Sequence, residues 1–266
     1  MSDSISVGFV GAGQMGRPMV DRLITGGWPS EVFARRADHR AELKQAGIAV
    51  AASPAELAGR SDLVIVCLFS DAQVRELVLD GGVLAAMRPG SVLVSHVTGS
   101  PELPLALQAA APAGVTVLDV PVSGTSDSIK VGQLTLLVGG DAEALERVRG
   151  PLSSYGSPIL HVGGLGDGQR VKLVNNLLFT VHLRVALAAA SLGESMGITP
   201  AELARVVSEC SGDSFVVRLF RQVPPEAMAA GAKHYLVKDV SAIREVAESL
   251  DIDLGLLGEL ARWIDD

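Results

Sequence analysis

Short apolar runs alternate with segments of helical periodicity through the first half of the chain, and this alternation constrains the fold more than any other feature. The apolar runs lie at 5–10, 31–34, 63–68, 92–94, 115–118 and 134–138. Helical patterns occupy 15–26, 37–46, 101–111 and 141–150. The run at 63–68 is apolar throughout, as expected for a strand that is covered on both faces. The alternation therefore predicts βαβ units and a sheet that begins parallel.

The second half of the chain has only helical patterns. One long helix is predicted from 168 to about 196, and at 1.5 Å per residue it would span roughly 40 Å. Further helices are predicted at 200–210, 236–250 and 254–264. The glycine-rich segment HVGGLGDG, at 161–168, separates the two patterns.

A glycine motif opens the first helix, directly after the first apolar run. It reads Gly11-Ala12-Gly13-Gln14-Met15-Gly16, a G-x-G-x-x-G. The first glycine permits a tight turn, the second lets the backbone approach a pyrophosphate, and the third allows close helix–strand packing. The N-terminus of the helix offers N–H groups to phosphates. These six residues are predicted to bind a dinucleotide; the alternative is a glycine turn without a ligand.

These patterns together predict an α/β Rossmann-type N-terminal domain plus a smaller all-α C-terminal domain, joined by a long helix. We place the cofactor-binding domain at residues 1–163 and the helical domain at 164–266.

The end of the second predicted strand indicates which dinucleotide is used. A site for NAD usually has an acidic residue there, which bonds the ribose 2′-OH. This chain has Ala34-Arg35-Arg36 instead. Guanidinium groups suit a 2′-phosphate, so Arg35 and Arg36 favour NADP(H), while NAD remains possible. The alternative is a solvated pair of surface arginines.

Composition excludes several classes of protein. With 22 Lys+Arg against 30 Asp+Glu, the net charge of −8 argues against a nucleic-acid binder. Cys67 and Cys210 form no disulfide framework, and the five histidines show no metal-ligand spacing. The N-terminus has no signal-peptide pattern, which predicts a cytoplasmic protein. Lys172, Asn176 and other polar residues interrupt the apolar stretch at 171–192, so we expect no membrane span.

Several segments resemble the β-hydroxyacid dehydrogenases, the group that contains 3-hydroxyisobutyrate dehydrogenase and is related to 6-phosphogluconate dehydrogenase. GFVGAGQMGRPMV resembles the cofactor turn of that family, and SHVTGSP (95–101) is similar to its D-x-S-T-x-S-P loop. DVPVSG (119–124) and GQLTLLVGG (132–140) resemble its substrate loop. GDGQRVKLVNN (166–176) and KDV (238–240) are similar to its catalytic helix and to a later element. The likeness covers nearly the whole chain in the expected order.

The resemblance implies roles for single residues. Lys172 would be the general acid/base, and Ser123, Gly124, Thr125 and Asn176 would bind substrate. Leu68, Thr98 and Lys238 would line the cofactor site, with Asp239 in the same cleft. The spacing of Lys172 and Asn176 agrees with these roles, because residues i and i+4 share a helix face. Burial can lower the pKa of a lysine from about 10.4 toward neutrality, which would suit it to proton transfer. The structural alternatives are a solvated Lys172, a helix-capping Asn176 and a simple turn at Ser123.

The sequence departs from the family pattern in three places. Thr125 and Ser128 replace glycines that usually follow the serine loop, and Val97 stands where serine is common. The sequence also ends where family members continue with a further helical segment, which affects the expected closure of the pocket and the dimer contacts. We therefore expect the carboxylate end of the pocket to differ from that of the relatives.

The function expected from the sequence is NADP(H)-dependent hydride transfer to or from a small 3-hydroxy acid or its semialdehyde. The substrate would carry a carboxylate, and the enzyme would be a homodimer or higher homo-oligomer. An imine reductase-like enzyme is one alternative, although Lys172 argues against it. The other is a non-catalytic cofactor-binding or oligomerisation module.

Overall fold

A computed structural model describes residues 5–265 of the chain. It contains two compact units, of which one ends at Lys172 and the other begins at Leu173. The predicted domain boundary at 163/164 stays a prediction, because the helix that follows it runs from the first unit into the second.

A nine-stranded sheet forms the centre of the first unit. Its strands are β1 (Val7–Val10), β2 (Ser30–Phe33), β3 (Ala49–Val50), β4 (Leu63–Val66), β5 (Val92–Ser95), β6 (Thr116–Asp119), β7 (Val122–Ser123), β8 (Leu134–Gly139) and β9 (Gly156–Gly163). The first six are parallel in the order β3-β2-β1-β4-β5-β6, which is the Rossmann order. β8 pairs antiparallel with β6 and β7 and parallel with β9. The predicted fold class is confirmed.

Eight helices connect or flank these strands in the described part of the first unit. They are α1 (Gly16–Thr25), α2 (Ala37–Gln45), α3 (Pro54–Arg60), α4 (Asp71–Val74), α5 (Val83–Ala86), α6 (Glu102–Ala110), α7 (Ser126–Lys130) and α8 (Ala142–Ser153). A π-helical segment, Arg75–Asp80, continues α4.

The two faces of the sheet have separate apolar cores, because successive strand residues point to opposite sides. Phe9 and Ile65 pack on one face, together with Leu23 of α1. Val64 packs on the other face with Leu107 of α6. All residues of β1, β4 and β5 are buried, which explains why their sequences do not alternate and contain no polar side chain except Ser95 at the end of β5.

The second unit is helical. It contains most of α9 (Asp167–Ser195), then α10 (Pro200–Val207), α11 (Phe215–Leu219), α12 (Pro225–Ser249), α13 (Gly255–Leu260) and a 3-10 turn, Ala261–Asp265. The start of α12 was predicted too late, near 236. The segment EAMAAGAKHY lacks a clear apolar stripe, but its alanines favour helix, and Pro225 starts it in the first turn.

On length and composition alone, α9 is apolar enough to cross a membrane. The core helices of soluble proteins meet the same criteria. Leu177 and Leu183 of α9 belong to the apolar core of the second unit, which also includes Leu236 and Val240 of α12.

Candidate active site

The three glycines of the turn after β1 fill three different physical needs. Gly11 has φ +104°, and a Cβ there would lie 2.2 Å from the Cys67 carbonyl oxygen. A Cβ on Gly16 would lie 2.0 Å from the carbonyl oxygen of Gly11, so only glycine lets α1 approach the turn. A Cβ on Gly13 would meet nothing within 4 Å. The backbone therefore has no packing reason for glycine at 13, and open space lies where a pyrophosphate would approach.

The N-terminus of α1 also fits an anion. Met15 occupies the cap position and makes no side-chain capping bond. The first N–H groups of a helix have no partner within the helix, and its dipole attracts negative charge. Ala12 is buried, whereas the backbone at Gly13 and Gln14 is exposed. The six predicted residues thus form a cradle with the chemistry of a phosphate site.

These glycines give a prediction that separates binding from folding. Gly13→Ala should leave the melting temperature unchanged and weaken the binding of an NAD(P) cofactor by about tenfold or more, because the new methyl would occupy the space that a pyrophosphate needs. Gly16→Ala should instead destabilise the fold by about 1–3 kcal/mol through overpacking. Thermal unfolding and cofactor titration of both variants measure the two effects. Unchanged cofactor affinity in Gly13→Ala would remove Gly13 from the site.

The turn between β2 and α2 carries the predicted arginines. Arg35 is exposed, and its Nη1 lies 3.8 Å from Glu76 Oε2. Arg36 is also exposed and forms an ion pair with Asp38, which lowers the pKa of that carboxyl to about 2. Arg40 donates from Nη1 to the carbonyl oxygens of Ala34 and Arg35, at 3.0 and 2.6 Å. Sequence reasoning missed Arg40, although its place in the first turns of α2 is visible in the printed sequence.

Leu68 follows β4, which pairs with β1, and Thr98 follows β5, the next strand of the sheet. Both side chains are half-buried. Because carboxyl ends of parallel strands share one edge of a sheet, the glycine turn and these two residues lie along the same edge. This edge is where ligands bind in open α/β sheets.

The predicted substrate loop begins at the end of β7. Ser123 pairs with Thr135 of β8, and Gly124 has φ +140°. Thr125 caps α7: its Oγ1 accepts from the Ser128 N–H, and Ser128 Oγ accepts from the Thr125 N–H. The two residues that replace family glycines therefore bond to each other and brace the loop. In the structure, the Thr125 hydroxyl therefore accepts a bond from the backbone of α7.

Lys172 lies in the second turn of α9, and the residue is only 8% exposed. Two buried side chains fix the turn before it. Asp119, the last residue of β6, accepts from the backbone N–H groups of Gly166 (2.7 Å) and Gln169 (2.9 Å). Gln169 in turn bonds to Val97 and Gly99 of the loop after β5. Both residues lie in segments that resemble the family, but the sequence predicted no role for Asp119 or Gln169. Their hydrogen-bond partners lie 47 to 72 residues away along the chain.

The second unit contains its own polar cluster. Asn176 donates from Nδ2 to Asp239 Oδ2 at 2.5 Å, and Asn175 donates to Asn176 Oδ1 at 3.0 Å. The other carboxylate oxygen of Asp239 lies 3.1 Å from Lys238 Nζ. Asp239 is buried and Lys238 is 26% exposed in its side chain. The bond from Asn176 fixes the orientation of its amide, and the described residues contain no cluster suited to a metal ion.

Two family models match consecutive parts of the chain. Residues 6–163 match the NAD-binding domain of 6-phosphogluconate dehydrogenase, and residues 166–264 match the NAD-binding domain of NADP-dependent 3-hydroxyisobutyrate dehydrogenase.

Curated relatives show the same likeness. Mouse mitochondrial 3-hydroxyisobutyrate dehydrogenase is 30% identical, over 99% of this chain and 82% of its own length. The NAD-dependent L-serine dehydrogenase of Pseudomonas aeruginosa is 33% identical, over 96% of this chain and 85% of its own.

Solved structures are also similar to this chain. The 3-hydroxyisobutyrate dehydrogenase of Mycobacterium tuberculosis, solved with L-serine, has a TM-score of 0.87 at 27% identity, covering 98% of this chain and 92% of that one. An imine reductase from a Pseudomonas species has a TM-score of 0.69 at 16% identity, covering 99% and 93%, a likeness that shows the fold alone.

Proposed function

Because the chain belongs to the β-hydroxyacid dehydrogenase family, we propose that it interconverts a small 3-hydroxy acid and its semialdehyde with NADP(H). The family makes it an NAD(P)-dependent oxidoreductase. The observation that carries the proposed reaction is the burial of Lys172 in the second turn of α9. The first turn of this helix is hydrogen-bonded to Asp119 at the end of β6 and to the loop at 97–99 after β5. A single amine held beside the cofactor edge of the sheet suits proton transfer at one oxygen.

The residues present fit a dinucleotide cofactor. The open backbone at Gly13 and the N-terminus of α1 would hold the pyrophosphate, and Arg35 with Arg36 would hold the 2′-phosphate. Leu68, Thr98 and Lys238 would contact the remainder. When bound, the nicotinamide supplies the hydride acceptor or donor.

The side chains around the reacting carbon then have separate tasks. In oxidation, neutral Lys172 accepts the hydroxyl proton while the carbon loses its hydride; in reduction, the ammonium form returns that proton to the carbonyl oxygen. Asn176, one helical turn after Lys172, orients the hydroxyl. Ser123 and the backbone N–H of Gly124 bind the carboxylate, and the capped loop beginning at Thr125 keeps them in place.

A substrate screen tests this proposal. 3-Hydroxyisobutyrate and L-serine are the first choices, because relatives are named for acting on these compounds. Isobutyrate and L-alanine, which lack the 3-hydroxyl, are matched controls, and nicotinamide absorbance is followed with NADP⁺ and with NAD⁺. Tight cofactor binding without turnover of any hydroxy acid or semialdehyde would favour a non-catalytic module, and turnover of cyclic imines alone would favour an imine reductase.

Cofactor choice gives a second prediction. An Arg35→Ala/Arg36→Ala variant should lose about tenfold to a hundredfold in NADPH affinity and little in NADH affinity, because only the 2′-phosphate needs these guanidinium groups. Asp38→Asn should act in the opposite direction, since it frees Arg36 from its ion pair. Dissociation constants for both cofactors measure the effect. An unchanged NADPH to NADH ratio in the double variant would contradict the assignment.

We also propose that the enzyme is a homo-oligomer. Val174, Leu178, Val185 and Leu192 are all more than two-fifths exposed, and their spacing of four and seven places them on one stripe of α9. Leu178→Lys/Val185→Lys should reduce the mass measured by light scattering, whereas Val206→Lys, at an equally exposed valine of α10, should not. A wild-type monomer at high concentration would contradict this proposal.

The proposed location is the cytoplasm. Cys67 and Cys210 are both free thiols, as expected in a reducing compartment.

A further inference from the structure

The side chain of Gln169 connects two segments that the proposed reaction needs in register. The residue is 1% exposed. Oε1 accepts from the Gly99 backbone N–H at 3.0 Å, and Nε2 donates to the Val97 carbonyl oxygen at 2.8 Å. These two backbone groups flank Thr98, so one amide fixes the backbone on both sides of that residue.

Gln169 is also tied firmly to its own helix turn. Its backbone N–H donates to Asp119 Oδ2, and the other carboxylate oxygen accepts from Gly166. The carboxylate lies at the N-terminus of α9, where the helix dipole favours negative charge. Asp119 has no exposed surface, and burial raises its pKa. The two backbone bonds offset part of this desolvation cost.

The surrounding sequence makes room for this carboxylate. A Cβ on Gly139 would lie 2.4 Å from Asp119 Oδ1, and a Cβ on Gly168 would lie 2.7 Å from Oδ2. Both glycines have φ angles that other residues adopt, since neither lies in the left-handed region. A Cβ would also lie 2.7 Å from the Gly164 carbonyl oxygen in the first case and 2.8 Å from the Leu137 carbonyl oxygen in the second, so these glycines make room for the carboxylate and for the backbone packed around it.

From this arrangement we propose that Gln169 is a positioning residue, which fixes the position of Thr98 relative to Lys172. Asp119 in turn holds the first turn of α9, to which Gln169 belongs. Lys172 follows Gln169 by three residues on the same helix. If the loop at 97–99 moves relative to the first turn of α9, Thr98 therefore moves relative to the Lys172 amine. Misplacement by about 1 Å can reduce a rate by about a hundredfold. The inference rests on the proposed function of Lys172.

The chain offers a matched control for the loss of such an amide. Gln108 of α6 makes the same kind of pair: Nε2 donates to the Val115 carbonyl oxygen at 3.1 Å, and Oε1 accepts from the Val117 N–H at 2.8 Å. This pair lies at the amino end of β6, away from the edge that carries the glycine turn. Gln169→Met therefore removes two side-chain bonds to the backbone beside the proposed active site. Gln108→Met removes the same kind of pair at a position with a structural role only.

Steady-state kinetics with deuterated NADPH distinguish positioning from stability. Gln169→Met should lower kcat about tenfold to a hundredfold and raise the primary isotope effect, with a smaller loss of cofactor affinity, because Thr98 is one of several proposed cofactor contacts. Gln108→Met should also lower the melting temperature, by less because Gln108 is only half-buried, but should leave kcat and the isotope effect unchanged. Equal kcat in the two variants would overturn the inference.

Gln169→Glu adds a rescue test. A protonated carboxyl can accept from Gly99 and donate to Val97, whereas the carboxylate repels the Val97 carbonyl. The ratio of its kcat to that of wild type should therefore rise as pH falls, which a merely structural defect would not produce. A ratio independent of pH would contradict the geometry.

Hydrogen exchange keeps this test separate from the test of function. The Gly99 amide should exchange at least about tenfold faster in Gln169→Met than in wild type, without any substrate present. Unchanged exchange would overturn the inference even if no hydroxy acid is turned over. A wild-type enzyme that turns over nothing, with Gly99 exchange still raised in the variant, would contradict the proposed function alone.

Discussion

Lys172→Ala should lower kcat/KM by a factor of about 10² to 10⁴, the range that general acid/base catalysis supplies. The side chain is buried in α9 and is the residue proposed to exchange a proton with the substrate oxygen. Cofactor affinity should stay close to wild type, because the proposed pyrophosphate and 2′-phosphate contacts lie on β1–α1 and β2–α2. Stopped-flow absorbance of nicotinamide and a separate binding titration measure the two quantities.

Two further variants separate proton transfer from charge. Lys172→Arg keeps a cation but cannot deprotonate near neutral pH, so it should be nearly as inactive as Lys172→Ala. Lys44→Ala removes an exposed lysine of α2 and should have no effect. Added methylammonium should partly restore Lys172→Ala, because a free amine can take over the proton transfer. Turnover that survives in Lys172→Ala would refute the mechanism.

Local sequence patterns predicted the part of the fold that local forces specify. The buried strands β1, β4 and β5 have no polar side chain except Ser95, the last residue of β5, and the glycine turn after β1 has a steric signature within six residues. Short elements were missed. β7 has two residues and α7 has five, and neither is long enough to show a period.

The candidate site was predictable only where its chemistry lies in one segment. Arg35 and Arg36 stand at the end of a predicted strand where an acidic residue is usual, so the local sequence suffices to propose them. Lys172 and Asn176 are proposed from the resemblance to the family's catalytic helix, with which their i, i+4 spacing agrees. The pairing of Asn176 with Asp239 joins residues 63 positions apart, and that of Gln169 with Val97 spans 72. Such contacts depend on how the elements pack, which no local pattern encodes. Asp38 was overlooked for a different reason: it lies beyond the strand end where an acidic residue was sought.

The buried His96 should make the stability of the fold depend on pH. This histidine directly follows β5; its Nδ1 lies 2.7 Å from the Val120 carbonyl oxygen and its Nε2 lies 2.8 Å from the Tyr155 hydroxyl. Burial lowers the pKa of His96 to about 4, and burial raises the pKa of Tyr155 well above its ordinary value. The hydroxyl therefore donates to Nε2, and Nδ1–H donates to Val120 in the neutral ring.

The sign of the effect follows from which state binds the proton. Between pH 6.5 and about 4 the unfolded histidine is protonated and the folded one is not, so the free energy of unfolding falls as pH falls. A difference of this size corresponds to about 3 kcal/mol, present above pH 6.5 and lost toward pH 4. Asp119 acts oppositely, since its raised pKa favours the folded state at low pH. The difference in the free energy of unfolding between wild type and a His96 variant cancels such contributions, because Asp119 is present in both proteins.

Urea unfolding of wild type and His96→Gln at several pH values between 7 and 4 isolates the histidine. The variant should be less stable at pH 7, because Tyr155 and Val120 lose a partner. Its disadvantage should shrink by about 3 kcal/mol as the pH approaches 4, where wild type has lost the contribution of a neutral His96. His161→Gln, at an exposed histidine that contacts the Gly140 carbonyl, should run parallel to wild type throughout. Parallel curves for His96→Gln as well would mean that the folded protein tolerates a charged ring at this position.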